Sequence, residues 1–179
     1  NAPLDGDFSP ADIVTVINDY GNKWNNVKVF TQEFRFNSAA SKSAALKWTA
    51  GTYFFHQNNP SKQATHFGED AGLYGIPDVN FATINSATGK NTGIAFYGQL
   101  SYAITSKFEI TGGLRYDYEN KKLDVEGAYQ KDGEDAFIIR PDTAASLHYS
   151  AASPKVGLSY HISNNSNLFA TYNRGFRTG

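Results

Sequence analysis

Four histidines, His56, His66, His148 and His161, are the side chains best suited to hold a metal or move a proton near neutral pH. No two of them stand at metal-ligand spacing, and the chain has no cysteine to join them. His161 falls on the polar side of a strand-like run near a short turn, where a solvated role is expected. His66 and His148 fall in long connections, where a ligand role is open but an ordinary solvated residue is the commoner case. Asp132, Glu134 and Asp135 offer oxygen ligands of the kind calcium takes, without the full calcium-loop pattern, and read as a solvated acidic tip. There is no Gly-x-Ser-x-Gly elbow, phosphate-cradling glycine loop or zinc-binding helix motif. The expectation is a protein that is not an enzyme, with no catalytic residue, no metal site and no cofactor.

The remaining charged and aromatic residues fall into two sets. Glu33, Arg35, Arg115, Asp117 and Glu119 occupy alternate positions of strand-like runs, and Tyr97 and Gln99 hold equivalent places in another. Opposite charges at neighbouring positions, with no nucleophile–base pair, fit the lining of a water-filled lumen better than a catalytic centre. The second set, His66, Phe67, Tyr74, Phe81, Tyr129, Phe137, His148 and Tyr149, lies in the long connections. Aromatic faces with a few polar groups suit a bulky chelate, although packing of the connections on one another explains any single residue as well.

The elements that must position these residues read as long strands. Phe108 to Glu119 sets Phe108, Ile110, Gly112, Leu114, Tyr116 and Tyr118 on one face. Glu109, Thr111, Gly113, Arg115, Asp117 and Glu119 take the other, an unbroken period of two. A helix would mix the two sets and place a glycine pair in its interior. Twelve residues at about 3.3 Å each reach about 40 Å, enough to cross a bilayer core at a tilt. Strands of soluble domains run to roughly half that, about 5–6 residues. Ile94 to Ile104 repeats the pattern, and Thr105 to Lys107 makes it a hairpin with the next strand. Lys155 to Ile162, Asn167 to Phe176, Leu46 to Phe55 and Val27 to Phe36 read the same way, with Gln32 a blemish on the apolar face of the last. Asn1 to Asn26, with its apolar run Ile13 to Ile17, suits the tail of a further loop or strand.

Connections alternate in length. Asn37–Ala45, Thr105–Lys107 and Ser163–Ser166 are short, whereas Gln57–Asn91 and Asn120–Ala152 are long. Membrane barrels show this asymmetry, with short turns inside and long loops outside. Tyr53, Phe54, Phe55, Tyr116 and Tyr118 lie toward the long loops and Tyr102, Phe108 and Tyr160 toward the short turns, as two interfacial girdles would. The fold expected is all-β, an antiparallel transmembrane β-barrel. The alternative is a soluble β-sandwich, whose strands also alternate.

Composition agrees with strands that cross lipid. There are 13 Phe, 11 Tyr and 16 Gly in 179 residues, yet mean hydropathy is -0.46. No apolar run approaches the ~20 residues of a membrane helix, and a barrel escapes such a scan because only alternate residues touch lipid. Sixteen Lys and Arg against 17 Asp and Glu, without clustering, give no reason to propose nucleic acid as a partner. The chain starts at Asn1, has no Met and no leader, and stops at Gly179 within a strand-like run, so it reads as an internal piece of a longer polypeptide.

Several stretches resemble the barrel of TonB-dependent outer-membrane receptors: FTQEFRF (Phe30 to Phe36), LKWTAGTYFF (Leu46 to Phe55), GIAFYGQLSYAIT (Gly93 to Thr105), GGLRYDYE (Gly112 to Glu119), SPKVGLSY (Ser153 to Tyr160) and YNRGFRTG (Tyr172 to Gly179). The resemblance implies that residues 1–179 belong to a large barrel of about 22 strands, of which this chain holds about six. It also implies a plug domain, a signal peptide and closing C-terminal strands outside the sequence. The partners it implies are outer-membrane lipid, an iron chelate or similar ligand, and the TonB complex, reached through an N-terminal region not present. The function implied is energised uptake of a scarce nutrient at the bacterial outer membrane, a ferric siderophore first, cobalamin or an oligosaccharide behind it. A passive porin or adhesin barrel and a barrel hydrolase are the competing classes.

Overall fold

The computed structural model describes residues 4–21, 26–39, 44–163 and 165–176. It contains β1 (Leu4–Asp5), β2 (Val14–Asn18), β3 (Lys28–Asn37), β4 (Leu46–Phe67), β5 (Phe81–Ala103), β6 (Phe108–Lys131), β7 (Phe137–Ser163) and β8 (Ser166–Asn173), with one short 3-10 helix at Glu69–Tyr74. All eight strands join one sheet in the order β1-β2-β4-β5-β6-β7-β8, and β3 also pairs with β4. β1–β2, β2–β4 and β7–β8 are antiparallel. No helix among the described residues is long and apolar enough to cross a membrane, which leaves crossing by strands untouched.

At one end these strands stop or start where the alternation places them, β4 at Leu46, β5 at Ala103, β6 at Phe108 and β7 at Ser163, and they run much further at the other end. β4 has 22 residues, β5 23, β6 24 and β7 27. The reading of Gln57–Asn91 and Asn120–Ala152 as long loops is therefore corrected. Most of both stretches is strand, and the true connections are residues 68–80 and 132–136. Main-chain pairing does not require an apolar face, so a ladder continues through Asn58-Asn59-Pro60-Ser61-Lys62 or Asn120-Lys121-Lys122 where a hydropathy pattern fades. Eight strands replace the six expected, because β1 and β2 form in the segment before Asn26. The turn at Ser163–Ser166 holds between β7 and β8, with Asn164 outside the described residues. Residues 40–43 of the Asn37–Ala45 connection and residues 177–179 of the last resembling stretch also lie outside them.

Two compact units divide the chain. The first comprises Asn1–Val29, Gln57–Asn91 and Lys121–Leu147; the second comprises Phe30–His56, Thr92–Asn120 and His148–Gly179. The second unit carries the two-faced pattern. Ile94, Phe96, Leu100 and Tyr102 are exposed, Ala95 is buried, and Tyr97, Gln99 and Ser101 are half-buried. β6 repeats this, with Ile110, Leu114, Tyr116 and Tyr118 exposed and Glu109, Thr111, Asp117 and Glu119 half-buried. The apolar side is thus the bare one. Only Ile13, Ala64, Ala71, Phe81, Ala82, Ile84 and Ala95 form a buried apolar core among the described residues, and most of them are alanine. A water-soluble sheet buries its apolar face against another layer; this one presents it outward, as a wall in lipid does. Gln32, the blemish on that face, donates its side-chain amide to the carbonyl of Glu33 at 3.2 Å, so one of its polar groups is satisfied within its own strand.

The first unit has its own small packing. β2 lies on the end of β4 in the register Val14↔Phe67 to Asn18↔Gln63. Ile17, Tyr20 and Ala128 pack on Ala64, Ala82 and Ile84. Tyr20 donates its hydroxyl to Gln130 Oε1 at 2.8 Å, and Lys62 Nζ sits 5.8 Å from its ring centre. The β4–β5 connection is fastened to the N-terminal segment by Asp12 N–H on Asp70 Oδ2 (2.9 Å), Asp70 N–H on Asp12 O (3.0 Å) and Gly68 N–H on Ile13 O (3.1 Å). A Cβ at Gly68 would overlap the Asp12 carbonyl oxygen, so this close approach needs glycine.

Candidate functional site

The polar face of the second unit gathers most of the expected lining residues. Arg35 Nη2 lies 2.9 Å from Glu33 Oε1 and Arg35 Nε donates to Tyr97 Oη at 3.1 Å, while the Tyr97 hydroxyl donates to Glu33. Side chains two apart in a strand share a face, so Glu33 and Arg35 meet without help from a neighbour. Arg115 repeats the device on Asp117, with Nη2 to Oδ1 at 2.7 Å and Nε to Oδ1 at 2.9 Å, and its guanidinium carbon is 5.9 Å from the Tyr53 ring centre. Lys155 donates to Gln99 Oε1 at 3.2 Å. Glu33, Arg35, Tyr97, Gln99, Arg115 and Lys155 border one cavity of about 290 Å³. Asp117 reaches that group through Arg115, and Glu119 follows two places further along β6. Exposed ion pairs of this kind stabilise by only about 0.2–1 kcal/mol each. Their chemistry is that of a wet, charge-balanced surface, with no nucleophile placed against a base.

The expected ligand-facing residues are differently placed. Tyr74 ends the 3-10 helix and is strongly exposed beside Leu73, whereas His66, Phe67, Tyr129, His148 and Tyr149 lie on strands rather than loops. Phe67, Phe81, Tyr129 and Phe137 form a ladder of rings on successive strands, with centres 4.9, 5.1 and 5.1 Å apart. Period-two geometry turns His66 to the opposite face, where Nε2 lies 3.1 Å from Asp132 Oδ2. Asp132 stays exposed in the 132–136 turn with Glu134 and Asp135, so the acidic tip itself carries this contact. His148 and Tyr149 belong to the second unit and do not join the ladder's unit. His56 Nδ1 pairs with Thr92 Oγ1 at 2.8 Å, and His161 is exposed on β7. Among the described residues no three His, Cys, Asp or Glu side chains are grouped to hold a metal.

Asp78, which no sequence signal singled out, holds the third ring of the ladder. It accepts the Tyr129 hydroxyl and lies 3.0 Å from Lys131 Nζ. Asn80, at φ 56°, then hands its carbonyl to Asp132 N–H at 2.9 Å. The Tyr129 hydroxyl, then the Lys131 ammonium, hold the Asp78 carboxyl below the usual carboxylate range. In return Asp78 holds the Tyr129 and Lys131 groups above theirs. A depressed carboxyl contributes fully above its ordinary value and loses that contribution as pH falls through the lowered one. The raised Tyr129 and Lys131 contribute below their ordinary values and lose that contribution as pH rises through the raised ones. The latch between residues 68–80 and β6 is therefore expected to hold across neutral pH and to open at both extremes. Limited proteolysis of the intact protein across pH should show cutting within 68–80 only at those extremes. In Asp78→Asn the acid-side step should disappear and cutting at neutral pH should increase; unchanged cutting would remove the latch.

The family model for the TonB dependent receptor-like β-barrel matches residues 3–179. The chain belongs to this family. A search of curated proteins finds no match. Among solved structures, the ferric yersiniabactin uptake receptor FyuA from Yersinia pestis is similar over 90% of this chain and 22% of its own, at 14% identity and a TM-score of 0.59. The ferric-catecholate import receptor Fiu from E. coli K12, in its open form, is matched over 92% of this chain and 33% of its own, at 14% identity and a TM-score of 0.38. At such identity the likeness to FyuA shows the fold, and the weaker score of Fiu adds no argument. The chain spans about a fifth to a third of these two receptors. Within this receptor family the sheet is a stretch of antiparallel barrel wall, and its order runs from β1 to β8 without closing on itself.

Proposed function

We propose that this chain is part of the wall of a bacterial outer-membrane receptor that takes up a scarce nutrient by TonB-dependent transport, with a ferric siderophore as the cargo class. The family match over residues 3–179 carries the reading. The bare apolar face opposite the Glu33–Arg35–Tyr97 and Arg115–Asp117 networks supports it, since a barrel wall must satisfy lipid on one side and water on the other. In this reading Glu33, Arg35, Tyr97, Gln99, Arg115, Asp117 and Glu119 line the lumen. The first unit, with His66, Phe67, Tyr74 and Tyr129, belongs to the ligand-facing end, and His148 and Tyr149 follow on β7. A plug and the TonB-engaging segment lie elsewhere in the whole polypeptide, together with the strands that close the barrel.

The test is uptake by cells that make the full-length protein. Iron-limited cells should accumulate a radiolabelled ferric siderophore from a panel of hydroxamate, catecholate and carboxylate chelates, and deletion of tonB should abolish that accumulation. Uptake that persists without TonB would return the protein to the passive-barrel class.

A further inference from the structure

The ion pairs on the polar face of the second unit leave one cation over. Both oxygens of Glu33 are taken by Arg35 Nη2, at 2.9 and 3.1 Å, and both oxygens of Asp117 by Arg115 Nε, at 2.9 and 3.0 Å. Lys155 borders the same cavity of about 290 Å³ as the two arginines, but its ammonium donates to a neutral acceptor, Gln99 Oε1, at 3.2 Å. Lys155 forms no ion pair among the described residues. The contacts place these side chains on one face. Arg35 meets Tyr97 and Lys155 meets Gln99, while Tyr97 and Gln99 stand two apart on β5, as Gly113 and Arg115 do on β6.

Two glycines clear the floor on which they meet. β4 lies between β3 and β5, and a Cβ at Gly51 would overlap the Tyr97 hydroxyl that Arg35 reaches. β6 lies between β5 and β7, and a Cβ at Gly113 would stand 3.6 Å from Cβ and Cγ of Gln99, beside the contact from Lys155. The Lys155–Gln99 contact thus spans two strand spacings, about 10 Å, across a strand that offers no side chain there. Cations from both flanks therefore converge on Tyr97 and Gln99, with one positive charge in excess. An ammonium and a guanidinium on one cavity repel each other, and an anion between them replaces that repulsion with charge-assisted hydrogen bonds.

We infer that this cavity is a station for a single carboxylate, held by Lys155 and Arg115 with the Gln99 amide nitrogen as a further donor. One negative charge matches the one in excess, and a flat carboxylate fits the fork of a guanidinium while the lysine meets it as a point charge. The carboxylate belongs either to a solute or to a side chain elsewhere in the whole polypeptide. The station goes beyond the receptor reading, since it needs only water on this face and holds with or without TonB.

The test is coupling by a water-soluble carbodiimide in the full-length protein in detergent, which joins an amine to a carboxylate in contact with it, read by peptide mass spectrometry. Without added solute, Lys155 joined to an Asp or Glu outside these 179 residues identifies a side chain as the occupant. With isotope-labelled succinate added, labelling of Lys155 about fivefold above that of Lys107, an exposed lysine in the β5–β6 turn, identifies a solute. Either product supports the station. Arg115→Gln is expected to lower whichever product forms about twofold to fivefold, and Arg115→Lys to restore most of it. Heat-modifiable migration on gels checks that each variant has inserted. Three results overturn the station: Lys155 coupled mainly to Glu33 or Asp117, no product above the level at Lys107, or a product undiminished in Arg115→Gln. Each of them leaves TonB-dependent uptake as measured above standing, and loss of that uptake leaves the station standing.

Discussion

Leu114→Arg is expected to prevent most of the full-length protein from reaching its inserted, protease-resistant state. Leu114 lies on the bare face of β6, 55% exposed, in line with Ile110, Tyr116 and Tyr118. In lipid that exposure costs nothing, but an arginine there must be desolvated or drag water inward, at about 2–4 kcal/mol near the bilayer midplane. The same substitution three residues earlier has a different environment. Thr111 turns to the polar face, where its hydroxyl is 2.8 Å from that of Ser101. Thr111→Arg should cost only the lost hydrogen bond, about 1 kcal/mol, while its guanidinium reaches water. The inserted fraction, read by heat-modifiable migration of outer-membrane preparations, should fall severalfold for Leu114→Arg and little for Thr111→Arg. Equal losses would mean that the lipid and lumen faces have been exchanged.

The second large effect concerns a glycine. A Cβ at Gly51 would stand 2.5 Å from the carbonyl oxygen of Phe34 and 2.6 Å from Cζ of Tyr97. The first is backbone and cannot step aside, and the second belongs to the ring that bonds Arg35 and Glu33. Gly51→Ala should therefore part β3 from β4 and displace the Tyr97 hydroxyl, costing about 1–3 kcal/mol as overpacking does. Gly112 is the control, because nothing lies within 4 Å of a Cβ placed there. Gly112→Ala should be neutral or stabilising by about 0.5 kcal/mol, through the reduced freedom of the unfolded chain. Urea unfolding of the full-length protein in liposomes would measure both. A Gly51→Ala protein as stable as wild type would mean that Tyr97 and the Phe34 peptide have room that this packing denies them.

How much of this was legible in the sequence follows from the chemistry of each stretch. Where one face is apolar, as from Phe108 to Glu119, both the strand and the side each residue takes can be read residue by residue. Beyond Glu119 the apolar residues change face, Leu123, Val125 and Tyr129 alternating with Lys122, Asp124 and Glu126, so the pattern of Phe108 to Tyr118 breaks off although the strand runs on to Lys131. Pro60 and Pro141 masked the extensions of β4 and β7 further, since proline ordinarily argues against a strand interior. One signal was present and unused. Asp132-Gly133 between two strand-forming runs marks a hairpin turn, and Gly133 does adopt φ 77°. The meeting of Glu33 with Arg35 and of Arg115 with Asp117 could be read because charges two residues apart share a face. The ladder of Phe67, Phe81, Tyr129 and Phe137 depended on the register of four strands, which no local pattern fixes. The contact between Asp78 and Tyr129 spans 51 positions, and no composition rule reaches that far.

The ion pairs within β3 and β6 bear on how such a sheet is built. Glu33 and Arg35 are neighbours on a single strand, as are Arg115 and Asp117, whereas Lys47 and Glu109 face each other between strands at a looser 3.9 Å. A pair carried within one strand is electrically neutral before the strand has found any partner. β3 and β6 therefore carry those charges already cancelled in whatever order the strands are brought together. Moving Arg35 to an adjacent strand would keep the finished wall neutral but leave Glu33 without a counter-charge on its own face of β3. In this wall, neutrality at those positions is a property of the part rather than of the whole.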